Sequence, residues 1–377
     1  MIFLWVVRSS LSTRGEDQGE VYLCLMHVDV LIMGQGICGT MLSWFLNKEG
    51  KSFLIIDDNN EDAPSKVAAG IINPVTGRRF VYSWMIDTVM PFAAETYKEI
   101  GIFFREKLII QKDIIDFFPS PQMLDAFATR LTENDTYLHS YPDQNHFNQF
   151  FNYDFGCGQI SPAYIANVSG LITKWREHLK VKKQLLEESF TGDNLVIEKD
   201  FVRYNTITAK KIVFCNGINA ANLSWFNNLP FSPSKGEMLL IESEDLTNEH
   251  IFKKGIMLAP LFQQNLFWAG SSYQWEYEHA NPTKEFYDRT KILLDQWLKV
   301  PYKIIEHKAA LRPSTLERRP FVGFHPQYNS IGILNGMGTK GTSLAPFFAN
   351  QLVQNILFDA PITKEADVKR FTRILSK

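Results

Sequence analysis

Long apolar runs, paired cysteines and a surplus of either charge are all missing from this 377-residue chain. No stretch approaches the roughly 18 consecutive apolar residues that a membrane-spanning helix needs, so a membrane protein is not expected. The cysteines, Cys24, Cys38, Cys157 and Cys215, are scattered, with no C-x-x-C pair and no histidine at ligand spacing. Neither a disulfide framework nor a metal site is indicated, and a reducing cytoplasm fits that usage. Lys plus Arg at 39 against Asp plus Glu at 41 leaves a formal net charge of −2. The chain therefore carries no global basic footprint for nucleic acid, which argues only weakly against an RNA substrate. Internal repeats and low-complexity linkers are also lacking. Hydrophobic content of 45% is that of a globular chain, and the length suits one large or two medium domains. Residues 1–7 are apolar but too short for a secretory signal, with no basic region before them and no cleavage site after Arg8. Met26 stands just before the first strand. Residues 1–25 are therefore expected to be a dispensable extension or a start-codon artefact.

The strongest local signal lies in residues 28–58, VDVLIMGQGICGTMLSWFLNKEGKSFLIIDD. Residues 28–33 are apolar apart from Asp29, as in a parallel strand buried on both faces. Gly34, Gly36 and Gly39 then form G-x-G-x-x-G. The first glycine permits the tight turn, the second lets backbone approach a pyrophosphate, and the third allows close packing of helix on strand. Ile37 and Cys38 open a helix whose N-terminus faces the phosphates; Met41, Leu42, Phe45 and Leu46 continue it, and Gly50 marks its end. Residues 53–56 form the second buried strand. Asp57 closes it 18 positions after Gly39, with Asp58 as the alternative if the strand ends one residue later. A carboxylate there accepts the hydroxyls of an adenosine ribose and repels a 2'-phosphate. Strand, helix and acid all stand in their places, so the turn reads as dinucleotide-binding.

Downstream, Ser65-Lys-Val-Ala-Ala-Gly-Ile-Ile-Asn-Pro74 holds Ala68, Ala69 and Gly70, small residues that let main chain lie against a flat group or pack a tight loop. Periodicity gives helices at 87–100, 120–131, from Ser161-Pro162 through 179, at 219–226 and at 283–298. Strand patterns fall at 103–118, 185–190, 195–204, 211–215, 231–241, 255–258, 266–269 and 302–307, while the aromatic stretch 137–155 has no clear period. Asn216-Gly217, at a strand end, is a second place where backbone can approach a nucleotide. Near the C-terminus a strand at 330–334 leads into Asn335-Gly-Met-Gly-Thr-Lys-Gly341 and a helix at 343–358 with Pro346 in its first turn. A glycine loop feeding a helix N-terminus is an anion site. With the first such site assigned to pyrophosphate, this one is free for negative charge elsewhere on cofactor or substrate.

Together these pieces resemble the D-amino-acid oxidase (DAO) family of FAD-dependent oxidoreductases, which includes glycine oxidase and sarcosine oxidase. The resemblance spans residues 28–358 and rests on the first fingerprint with Asp57, SKVAAGIINP, KKIVFCNG, KGEMLLI, GIMLAP with FWAGSSY, ALRPSTLERRPFVG, and NGMGTKGTSLAP before the last helix. GSSY and GMGTKG look most like the FAD domain of the bifunctional tRNA wobble-uridine-modifying enzymes, although no methyltransferase portion is read here. The family implies an α/β (α+β) architecture in which a Rossmann-like FAD-binding domain (26–100, 160–228 and 310–377) is interleaved with a sheet-rich substrate domain (101–159 and 229–309). It implies noncovalent FAD, with Gly34, Gly36, Ile37, Cys38, Gly39 and Asp57 (or Asp58) at the adenosine side and Ser65, Ala69 and Gly70 near the pyrophosphate and flavin. Asn216 and Gly217 join that cofactor site, and Gly336, Gly338, Thr339, Lys340, Gly341 and Thr342 flank the pyrimidine side of the ring. Negative charge arriving there would be stabilised by a helix N-terminus and Lys340. Arg312 matches the arginine that holds a substrate carboxylate in glycine oxidase; on its own it reads as a surface or salt-bridge arginine. Tyr273 is expected over the site, beside Lys340 and Arg312. Thr339 stands where glycine oxidase has an arginine in the terminal loop.

The resulting expectation is an FAD-dependent amine or amino-acid oxidase or dehydrogenase, cytoplasmic, that oxidises a carbon-nitrogen bond by hydride transfer to flavin N5. No side chain is needed as acid or base if the amine binds deprotonated. The alternatives are an oxidoreductase acting on a tRNA wobble uridine, a noncatalytic flavin-binding protein, and an NAD-dependent dehydrogenase using the first fingerprint alone.

Overall fold

The computed structural model describes residues 3–8, 22–133 and 136–376. Its first sheet is a mixed sheet with a parallel centre: Leu185–Leu186, Phe53–Ile56, Tyr22–Met33, Ile207–Phe214 and Ile331–Asn335 run side by side. Residues 28–33, apart from Asp29, and residues 53–56 are apolar, and Val28, Val30, Leu31, Ile32, Met33 and all four residues of Phe53–Ile56 are buried. The polar exception, Asp29, is satisfied by the N–H and hydroxyl of Ser52 and by Lys210 Nζ (3.0, 2.7 and 2.8 Å). Ile207–Phe214 is shared on its far edge. The hairpin strand Val202–Tyr204 pairs with its first half and Ile331–Asn335 with its second. Phe3–Arg8 pairs antiparallel with residues 22–27; the remainder of the expected N-terminal extension lies outside the described residues.

The second sheet is almost wholly antiparallel, in the order Lys303–Arg312, Ser234–Glu242, Leu266–Gly270, Ile256–Pro260, Ile251–Lys254, Ile114–Phe117, Cys157–Ile160, Leu138–Ser140. Its core is aromatic: Phe117, Phe147, Phe151, Phe252 and Trp297 pack as one cluster. That packing is the role of the aperiodic stretch 137–155, which supplies short turns whose rings point inward.

Several sequence expectations change. The helix expected from Ser161-Pro162 begins only at Val168, capped by Asn167, whose side chain accepts from Gly170 N–H; Tyr164–Ala166 is instead a strand, pairing with Ile71–Ile72 and Ile109–Gln111. The helix expected at 219–226 is a single 3-10 segment, Gly217–Asn222, because its start is tied to the strand end beside it. Residues 103 and 104 finish the helix Ile86–Phe104 before the strands Ile109–Gln111 and Ile114–Phe117. The strand expected from 231 starts at Ser234.

The last long helix, Gly341–Phe358, starts two residues before the expected 343, so Pro346 falls in its second turn, not its first. Pro346 has no N–H to give the carbonyl of Thr342. Tyr97, fully buried on the helix Ile86–Phe104, donates its hydroxyl to that carbonyl at 3.1 Å. One hydrogen bond therefore repairs the proline defect and fixes two helices against one another. Tyr97→Phe is expected to lower stability by about 1–2 kcal/mol in urea unfolding, and adding Pro346→Ala in that background to recover most of the loss, since residue 346 then regains an N–H for the same carbonyl.

Candidate active site

The C-terminal ends of the parallel strands converge, which is where open α/β sheets bind ligands. Gly34 has φ +95°, and a Cβ there would lie 2.8 Å from Asn216 Cα. The first glycine thus seats the turn against the end of Ile207–Phe214, and Met33 O accepts from Cys215 N–H at 2.7 Å. Gly39 does the packing work expected of it: a Cβ there would meet the Gly34 carbonyl oxygen at 1.9 Å. Asn335 joins the third strand end, donating its Nδ2 to Gly217 O at 2.8 Å while its Oδ1 accepts from Gly336 N–H at 2.8 Å. Helix Ile37–Lys48 starts at Gly36, which has no capping side chain, so Ser65 Oγ accepts from Ile37 N–H at 3.1 Å from across the cleft.

Asp57 lies at the mouth of this turn. Its Oδ2 accepts from Gln35 N–H (2.7 Å), and its Oδ1 from Asn59 N–H (2.9 Å) and Arg176 Nη1 (2.6 Å). Arg176, buried on helix Val168–Val181, also bonds Gln35 Oε1 (2.9 Å) and Glu187 Oε1 (3.0 Å). The carboxylate is thereby held in a fixed orientation. No motif marks Arg176 in the sequence, because its partner is 119 positions away. Asp58 is exposed and, among the described residues, accepts from Ser189 Oγ alone, at 3.3 Å.

The second glycine loop folds back on the Arg312 segment: Gly338 N–H donates to Pro313 O at 3.2 Å. Gly336 and Gly338 have φ of +77° and +56°, and Lys340 caps helix Gly341–Phe358. Lys340 is largely buried; its Nζ donates to Ser83 Oγ at 2.5 Å, and among the described residues no carboxylate lies within ion-pair distance of it. Burial pushes its pKa down to about 8. Gly70 needs its φ of +72° for another reason than a cofactor, since a Cβ there would meet Ala166 O at 1.9 Å; the tight-loop reading of 68–70 holds there. Cys38 and Cys215 are buried, and burial raises both thiols, Cys38 to about 12.

Arg312 ends the strand Lys303–Arg312 and reaches over the neighbouring strand at Gly236, where an alanine Cβ would stand 1.7 Å from its Nη2. Its guanidinium donates to Ser272 O (3.1 Å from both Nη1 and Nη2), Ser271 Oγ (2.8 Å) and, more weakly, Lys235 O (3.4 Å). Every acceptor is neutral, and burial lowers its pKa while Tyr273 opposes that shift. The Tyr273 ring centre lies 5.4 Å from the guanidinium carbon. Beneath this cage Glu237, fully buried, accepts from Thr283 N–H (2.6 Å) and Oγ1 (2.8 Å), contacts His307 Nε2 (3.0 Å), and faces Lys235 Nζ at 3.3 Å. Gly236 and Glu237 were legible only as part of the KGEMLLI segment.

One cavity of about 1440 Å³ runs from Gly34, Asp57 and Ser65 past Gly338 and Lys340 to Arg312 and Glu237, larger than the roughly 300–1,000 Å³ of an ordinary small-ligand pocket. Of the residues expected at a site, Gly34, Gly36, Ile37, Cys38, Asp57, Asp58, Ser65, Ala69, Gly70, Asn216, Gly217, Tyr273, Arg312, Gly336, Gly338, Thr339, Lys340, Gly341 and Thr342 line it. Gly39 does not, consistent with its place under the turn. Residues absent from the expectation also line it, among them Met257, Trp268, Trp275 and Arg318. No described helix is long and apolar enough to cross a membrane.

The family model described as DAO, FAD dependent oxidoreductase, matches residues 173–355. Among solved structures, glycine oxidase from Bacillus cereus ATCC 14579 superposes with TM-score 0.74 at 16% identity, covering 89% of this chain and 96% of that one. Iminodiacetate oxidase from Chelativorans sp. BNC1 gives 0.70 at 17% identity (91% and 98% covered), and L-proline dehydrogenase from P. horikoshii gives 0.73 at 16% (92% and 98%). At such identities these likenesses establish the fold.

The buried Lys340 makes a pH prediction. Below about pH 8 both folded and unfolded chains carry its proton, and the folded chain bears the cost of a desolvated cation. Between about 8 and the unfolded value of 10.5 only the unfolded chain keeps the proton, so this site's contribution to stability rises with pH. In cofactor-free protein, the stability of wild type relative to Lys340→Met should climb by up to about 3 kcal/mol across that window, measured by urea unfolding at successive pH values; a flat difference would contradict it.

Proposed function

Starting from a chain that belongs to the DAO family of FAD-dependent oxidoreductases, we propose that it oxidises the carbon-nitrogen bond of a carboxylate-bearing amine, an amino acid or an N-substituted one. The observation that carries this reading is Arg312: a partly buried guanidinium whose partners among the described residues are all neutral, facing a large cavity. A cation so placed is an anion receptor, and its fork geometry matches a carboxylate. Small-substrate enzymes among the structural neighbours, glycine oxidase and L-proline dehydrogenase, agree with that class.

The wall chemistry fits noncovalent FAD. A dinucleotide needs a ribose acceptor, a positive helix end and room, and the cavity offers Asp57, the start of Ile37–Lys48 and about 1440 Å³. Lys340, largely buried and with no counter-ion among the described residues, suits a group that becomes anionic. When bound, FAD supplies the two-electron acceptor. The chain's own residues then bind and orient: Arg312 takes the carboxylate, Ser271 Oγ and the Ser272 carbonyl hold that guanidinium in place, and Tyr273 covers it. Glu237 on the cavity wall is engaged by Thr283, His307 and Lys235, and an amine binding deprotonated needs no side chain as base. Lys340 and the helix start Gly341–Phe358 stabilise negative charge arriving at the far end of the cavity.

A tRNA wobble uridine bearing a carboxymethylaminomethyl group is the second reading. Arg318, exposed on the cavity lining with φ +54°, and Arg319, stacked over Trp84 at 4.4 Å, favour it. A noncatalytic flavin protein predicts bound FAD that no amine reduces. Anaerobic mixing of the FAD-loaded chain with amino acids, N-methyl amines and modified-uridine nucleosides, followed by flavin absorbance, separates these: bleaching by a carboxylate-bearing amine supports the proposal, and none removes it. With the bleaching substrate in hand, Arg312→Ala should lower kcat/KM by about 30-fold to a few thousand-fold, or about 2–5 kcal/mol.

A further inference from the structure

Beyond Arg312, the cavity wall continues into two partly exposed aromatic rings. Tyr273 and Trp275 are 41% and 56% exposed, their centres are 4.5 Å apart edge to face, and both line the same cavity. Single exposed apolar side chains are ordinary on any surface. A contiguous pair beside an anion receptor is a different case, because it places an apolar face where a ligand passes. The geometry follows from the backbone. Gln274 bridges Lys235 in antiparallel fashion, N–H to O at 3.0 Å and O to N–H at 2.8 Å. In such an extended segment residues 273 and 275 point to one side.

This wall is also held still. Glu237 fixes both ends of its loop: its backbone N–H donates to Ser272 Oγ (2.9 Å), its carbonyl accepts from Ser272 N–H (3.2 Å), and its carboxylate holds Thr283. A ring binding here meets a preformed surface and orders little new chain. A ligand whose carboxylate sits on Arg312 has Tyr273 beside it, over the guanidinium, and Trp275 next along the same wall.

We propose that Trp275, with Tyr273, is a specificity-determining wall that selects carboxylate-bearing amines carrying a planar aromatic group. The inference rests on Arg312 as the carboxylate anchor and refines the substrate class given above. It is tested by calorimetric titration of the FAD-loaded chain with two carboxylates that contain no amine, indole-3-acetate and acetate. Wild type should bind indole-3-acetate at least tenfold more tightly than acetate. Trp275→Ala should remove roughly tenfold of that preference while leaving acetate within about twofold, and Trp275→Phe should retain most of it. Equal affinity of wild type for the two ligands, or an unchanged preference in Trp275→Ala, overturns the wall. Because the readout is binding, it is separate from turnover. An aromatic preference in a protein whose flavin no amine bleaches keeps the wall and removes the oxidation reading; amine oxidation with no aromatic preference does the reverse.

Discussion

A partly buried guanidinium with no counter-ion among the described residues is the constraint around which this molecule is arranged. Burying a lone charge is costly unless hydrogen bonds replace its water. Arg312 meets that requirement with carbonyl and hydroxyl oxygens drawn from Ser271, Ser272 and Lys235. Those acceptors exist only because three strands of the antiparallel sheet lie in one register, with Ser234 opposite Arg312 and Gly236 leaving room for the side chain to cross. Neutral acceptors hold the cation in place without neutralising it, so its field remains directed into the cavity.

The opposite wall is built by the parallel sheet, and its charges are arranged differently. Near the first glycine turn the carboxylate of Asp57 is held by Arg176, and Asp58 and Asp62 line the same end. Near the second turn stand Lys340 and the start of Gly341–Phe358. An elongated ligand with hydroxyls at one end and an anionic ring system at the other is matched end for end. The indole N–H of Trp268, on the antiparallel sheet, donates to Val67 O at 2.9 Å and ties the two walls together across the cleft.

Much of this was legible in the sequence where the chemistry is local. The G-x-G-x-x-G turn, its helix and Asp57 fall within 24 positions, and the terminal glycine loop runs directly into its helix. Such segments carry their own turn and cap signals. What was not legible depends on partners distant in the chain. Arg176 acquires its role from Asp57 across the sheet, Glu237 from Thr283 and His307, and Ser83 from Lys340. The helix misplaced at Ser161-Pro162 has the same cause, because Tyr164–Ala166 gains more from pairing with two distant strands than from a longer helix. Pro346 is tolerated one turn deeper than local rules suggest because Tyr97 supplies the missing hydrogen bond from another helix.

The most direct test of the central claim is a crystal structure of the FAD-loaded chain soaked with glycolate, a carboxylate with no amine to oxidise. The account predicts the carboxylate within hydrogen-bonding distance of Arg312 Nη1 and Nη2, on the side of the guanidinium facing the cavity. A carboxylate bound instead at Lys340, or at neither cation, would contradict the assignment of Arg312 as the substrate anchor.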